Sequence, residues 1–134
     1  MKLYNEIELF NKNALSPIEI EEDHSCFQYH GHDILLKIIS ALNSYILYVR
    51  IGDYSPQEIV ELMPHLLKAN FMLKKPLAGT FSIEPNSNEI GMNFLFHEND
   101  VNYSCFYDNL NDIIIATEES EEKINMILQK NHTS

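Results

Sequence analysis

His30, His32 and Asp33, with Cys26 shortly before them, form the cluster whose residue types come nearest to a metal site. Imidazole, thiolate and carboxylate are the common zinc donors, and alternate residues of a strand can turn two imidazoles the same way. The cluster is centred on Gly31, however, and a glycine-centred turn draws polar residues whatever its role. No second His or Cys group at ligand spacing completes it. No metal and no cofactor are therefore expected. Cys105 would act as a nucleophile only with a His and an Asp brought from elsewhere, and beside Phe106 and Tyr107 it reads as a small core hydrophobe. Glu118, Glu119, Glu121 and Glu122 fall at helical spacing, the pattern of a solvated face, so no general acid or base is nominated. The glycines at 31, 52, 79 and 91 are scattered and write neither GxGxxG nor GxxxxGK[ST]. No catalytic residue is predicted, and the chain is expected not to be an enzyme.

Composition narrows the partners. The chain has 134 residues, of which 45% are hydrophobic, enough for one core in one domain spanning residues 1–134. Nine Lys and Arg against twenty Asp and Glu give a formal charge of −11, which repels phosphate backbones and anionic lipid headgroups. Neither nucleic acid nor membrane is expected as a partner, and no apolar run approaches the roughly 20 residues of a bilayer span. Met1 to Asn13 carries Glu6 and Glu8 among its apolar residues and does not read as a secretory signal, so a cytoplasmic protein is expected. In that reducing setting Cys26 and Cys105 are expected as free thiols.

The elements that would position these residues follow from periodicity and punctuation. Leu3, Ile7 and Phe10 share one side of a short helix over residues 2–10. Ser25 to Tyr29 reads as a first strand, His30 to Asp33 as a turn, and Ile34 to Ile39 as a central strand buried on both sides. Tyr45 to Ile51 alternates as a third strand, with Ile46 and Tyr48 on its second face. Ser55, Pro56, Gln57 and Glu58 write a capping box with proline at the first helical position. The helix they open takes Ile59, Leu62, Met63, Leu66 and Leu67 as its apolar face, and Pro64 should bend it. Phe81 and Ile83, then Ile90, Met92, Phe94 and Phe96, mark a half-buried hairpin joined at Glu84 to Asn88. Phe106, Leu110, Ile113, Ile114, Ile124, Ile127 and Leu128 fit a long last helix, with residues 131–134 frayed. The fold class is α+β, in the order α-β-β-β-α-β-β-α.

With no reaction centre in view, uncovered apolar surface is the remaining lead to function, because a binding protein leaves such surface for its partner. Leu3, Ile7 and Phe10 on the first helix, and Ile46 and Tyr48 on the third strand, are the candidates; the alternative for each is burial in the core.

Leu66, Leu67, Asn70 and Phe71 closing the middle helix, Gly79 with Phe81 and Ile83, Pro85 with Asn86, and the final amphipathic helix together resemble the class I type III secretion chaperones. These small bacterial proteins hold the N-terminal segment of a secreted effector before export. The likeness is one of element order and runs over nearly the whole chain. It implies a twisted antiparallel sheet with helices packed on it, and a homodimer made through the middle helix and its neighbouring strand. Leu62, Leu66, Leu67, Phe71, Phe81 and Ile83 would then lie in or beside the dimer interface. Leu3, Ile7, Phe10, Ile46 and Tyr48 would serve effector binding, and an exposed sheet edge could accept an added effector strand. It implies bacterial cytoplasm and a cycle without ATP. Two rivals stand beside it: a regulatory or scaffolding adaptor of the secretion system with the same fold, and a small metal enzyme built on His30, His32 and Asp33.

Overall fold

The computed structural model describes residues 1–71 and 79–132. Its elements are α1 (Leu3–Asn11), β1 (His24–Tyr29), β2 (His32–Ile39), a 3-10 turn (Ser40–Leu42), β3 (Ser44–Asp53), α2 (Pro56–Asn70), β4 (Thr80–Glu84), β5 (Glu89–His97) and α3 (Phe106–His132). This is the α+β order that the periodicity predicts. Every strand pair is antiparallel, and the sheet runs β1-β2-β3-β5-β4, open at β1 and β4 among the described residues. The expected fraying of residues 131–134 is met by a helix that runs to His132; Thr133 and Ser134 lie outside the described residues.

Turn chemistry sets the register. His30 and Gly31 both take positive φ, 50° and 78°, as a two-residue hairpin turn requires, and Tyr29 then faces His32. At the β4–β5 turn the Glu84 carboxylate accepts the N–H groups of Asn86 at 3.0 Å and Ser87 at 2.7 Å. The Ser87 bonds hold that carboxyl below its usual range.

The helices cover one face of the sheet. Leu36, Leu47, Val49, Met92, Phe94 and Phe96 point into a core completed by Leu3 and Ile7 of α1, Ile18, and Phe106, Leu110 and Ile113 of α3. A second cluster joins Ile59, Leu62 and Leu66 of α2 to Ile90 and Ile124. Among the described residues no helix lies over the alternate residues of the same strands. The two-sided burial expected for Ile34 to Ile39 is therefore corrected: β2 buries Ile34, Leu36 and Ile38, while Leu35 is 38% exposed and Lys37 reaches Asp23 at the surface. Among the described residues the three helices cover one side of the five strands and leave the second side open.

Charge fastens α1 across long sequence distances. It has no side-chain cap of its own, and the buried Glu98 carboxylate accepts the N–H groups of Lys2 at 2.9 Å and Leu3 at 3.3 Å. Glu6 of α1 in turn accepts the Phe106 N–H at the start of α3 and the Tyr103 hydroxyl. Both contacts put an acceptor where a helix start has unpaired donors. The Ser55–Glu58 capping box of α2 is present in both directions. As expected of one helix, α2 runs on through Pro64, which lies on the exposed side, where water can satisfy the Val60 carbonyl that it leaves without a donor.

Candidate functional site

The residues nearest to chemistry are dispersed. His30 packs edge-on against the Tyr29 ring, His32 faces Glu118 at 3.4 Å, and Asp33 accepts from Gln28 at 2.8 Å. Among the described residues no three His, Cys, Asp or Glu side chains are placed to hold a metal ion. Cys26 and Cys105 are free thiols, and burial raises the pKa of Cys105, against the thiolate a nucleophile needs.

Apolar surface is gathered in three places. The first is a groove of about 710 Å³ between α1, the end of β1 and the start of α3, walled by Leu9, Phe10, Leu15, Tyr29, Cys105 and Tyr107. Here the sequence expectation needs correcting. Leu3 and Ile7 are sealed in the core and offer nothing to a partner, because the stripe that makes α1 amphipathic is the one it needs to pack on the sheet. Phe10 sits at the boundary: half-buried, it touches Tyr29 and Phe106 with ring centres 5.8 and 6.1 Å away, and still lines the groove. The accessible apolar residues are Leu9, 62% exposed, and Leu15, fully exposed; neither fell on the stripe that the sequence pattern singled out.

The second is the open sheet face. Ile46 and Tyr48 lie half-buried there, as neighbours of Leu35, and Leu95 stands opposite Ile46. The Tyr48 ring lies over Gly91, where an added Cβ would come within 2.2 Å of it, and its hydroxyl donates to Glu89 at 2.7 Å. Burial first, then this carboxylate acceptor, pushes the Tyr48 phenol well up. Arg50 holds the same Glu89 at 2.7 Å and Asp53 at 2.6 Å, so the polar groups at this end of the face are mutually engaged. Shallow hollows of about 350 and 510 Å³ flank Tyr48, with Leu35 in the wall of both.

The third is a stripe along α2 made by Val60, Met63, Leu67 and Phe71, the last two 64% and 75% exposed. Leu62 and Leu66, expected with Leu67 and Phe71 at a dimer interface, are instead in the core against Ile90 and Ile124. The reason is angular: at about 100° per residue, positions 59, 62 and 66 share one side, and 63 and 67 are turned a quarter of the circumference further round. Phe81 and Ile83 are half-buried, packed beneath α2 at the edge of the sheet. The 60/63/67/71 spacing was available in the sequence as a second apolar row.

The bonding roles of two asparagines also escaped the sequence reading, which named Asn70 only as part of the resemblance. Asn11, last in α1, makes a two-bond clamp on Ile18, with Nδ2 donating to its carbonyl at 2.8 Å and its N–H donating to Oδ1 at 2.7 Å. Asn70, last in α2, clamps Phe81 in the same way at 3.0 and 2.7 Å. No local spacing announces such bonds. Among the described residues no helix is long and apolar enough to cross a membrane. Neither the protein-family models nor the curated proteins compared with the chain give a match.

Proposed function

We propose that this protein is a non-enzymatic, dimeric secretion chaperone of the class I type III kind, working in the bacterial cytoplasm. It binds the N-terminal segment of a secreted effector and keeps it soluble and export-competent without ATP. The observation that carries this reading is the amount of apolar surface left over once the core is complete, arranged on an α-β-β-β-α-β-β-α frame. A domain that served only to fold would not need the α1 groove, the Leu35–Ile46–Leu95 face and the α2 stripe together.

In this proposal the three surfaces divide the work. The α2 stripe, with Leu67 and Phe71 as its most exposed end, joins two copies. The α1 groove and the open face receive apolar side chains of the effector segment, with Phe10, Ile46 and Tyr48 among the contacts and Leu9, Leu15 and Leu35 added to them. The β1 edge, beside the groove, offers main-chain hydrogen bonds to an extended peptide. A charge of −11 keeps the loaded carrier from aggregating.

Co-expression with the N-terminal segments of candidate effectors tests it. A stable complex is expected with at least one, weakened by Leu9→Asp and Ile46→Asp in a protein that still folds. Leu67→Asp should give monomers. Repeated recovery of the chain without polypeptide, or of secretion machinery in place of an effector, would reject cargo holding; the second result would favour the adaptor reading.

A further inference from the structure

Among the described residues β4 is an edge of the sheet, and edge strands are ready templates for another chain. Lysine, proline and bulges are the usual protection, and β4 has none of them: it reads Thr80, Phe81, Ser82, Ile83, Glu84 in unbroken register with β5. What lies along it is the Asn70 side chain. Nδ2 donates to the Phe81 carbonyl at 3.0 Å, and the Phe81 N–H donates to Oδ1 at 2.7 Å. These are the two bonds that a residue of a neighbouring strand would make.

We infer that Asn70 guards this edge, keeping β4 from pairing with the β4 of a second copy. Because both Phe81 groups turn away from β5, the alternation of an antiparallel ladder turns those of Ile83 the same way. Two copies of β4 centred on Ser82 would pair Phe81 of each with Ile83 of the other, and every such pair needs a Phe81. One amide per copy therefore closes the whole edge. Nothing else in the strand opposes the pairing: Glu84 would face Thr80, so no like charges meet. The inference does not depend on the chaperone reading, since it concerns self-association through the main chain and not cargo.

The test is sedimentation of the full chain over a range of concentrations, with amide hydrogen exchange read at Phe81. Asn70→Ala should expose the Phe81 amide in dilute solution. As concentration rises, the mass should reach at least double that of the parent protein and protection should return. Asn70→Ala with Ile83→Pro, which removes the donor Ile83 would supply, should fall back to the parent's mass. A folded Asn70→Ala with the parent's mass throughout, or assemblies indifferent to Ile83→Pro, would overturn the inference. A labelled peptide of the Thr80–Glu84 sequence gives an arm that does not rely on the variant folding. It should leave the parent's Ile83 amide unprotected, and its capture there by the parent would overturn the inference as well.

Discussion

The two faces of the sheet are written by alternate residues of the same strands, and they end in opposite surroundings. Leu47 is fully buried beneath α1 and α3, while its neighbour Ile46 is half-open with Leu35 and Leu95 around it. The same division recurs on α2, where Leu66 is 5% exposed and Leu67 is 64% exposed. The lesson is that this chain carries more apolar surface than its helices can cover. Stability and partner binding are therefore separated by single steps along the sequence, and a substitution on one side should leave the other side's property intact.

Leu66→Asp should break the comparison most violently. An unpaired carboxylate among Ile59, Leu62, Ile90 and Ile124 costs several kcal/mol, of the order of the stability of a whole domain, so the cooperative urea transition should vanish. Leu67→Asp, one residue on, should keep a cooperative transition, lowered only by the stabilisation that the second copy supplied. Loss of cooperativity in both would mean that α2 has no outer side. Next in size, Leu47→Ala should cost about 2–5 kcal/mol in urea unfolding, against a change of about 0.5 kcal/mol or less for Ile46→Ala. Comparable losses would show that the open face is not open.

Tyr45 sharpens the picture of the covered face through pH. Burial pushes its phenol from 10.0 up to about 12, so folding favours the neutral form. Its contribution is whole below the ordinary phenol value and is lost as pH rises from there through the folded value. The expected loss is on the order of 2–3 kcal/mol, and in alkaline denaturation Tyr45→Phe should show less of it. Tyr45→Phe has its own cost at neutral pH, since the Asn109 amide gives up its bond to that hydroxyl.

Gly91→Ala probes the open face itself. The new Cβ would fall 2.2 Å from the Tyr48 ring, which must swing aside and release Glu89, at about 1–3 kcal/mol. Tyr48→Ala in the same chain should recover part of that loss. An undiminished penalty in the double variant would place the strain in the backbone rather than the ring.

Much of the frame could be read without coordinates. The capping box at Ser55, the turn around Gly31, the alternation from Phe81 to Phe96 and the helical spacing after Phe106 are local signals, decided within a few residues by backbone geometry and hydrogen-bond supply. The positions of Leu3, Ile7, Leu62 and Leu66 were another matter. Each belongs to a correct amphipathic pattern that left both core and partner surface open, and the structure puts all four in the core.

Local chemistry thus sufficed for element type, order and strand boundaries to within a few residues, and for the α+β class. Which apolar row each helix hides was resolved only by packing, because α1, α2 and α3 compete for one face of one sheet and the winner depends on all of them together. The same holds for the polar ties: Glu98 on the start of α1, Glu6 on the start of α3 and Asn70 on Phe81 join residues 95 to 100 positions apart in the first two cases and 11 in the last. Side chains that meet only after the chain has closed on itself leave no periodicity behind.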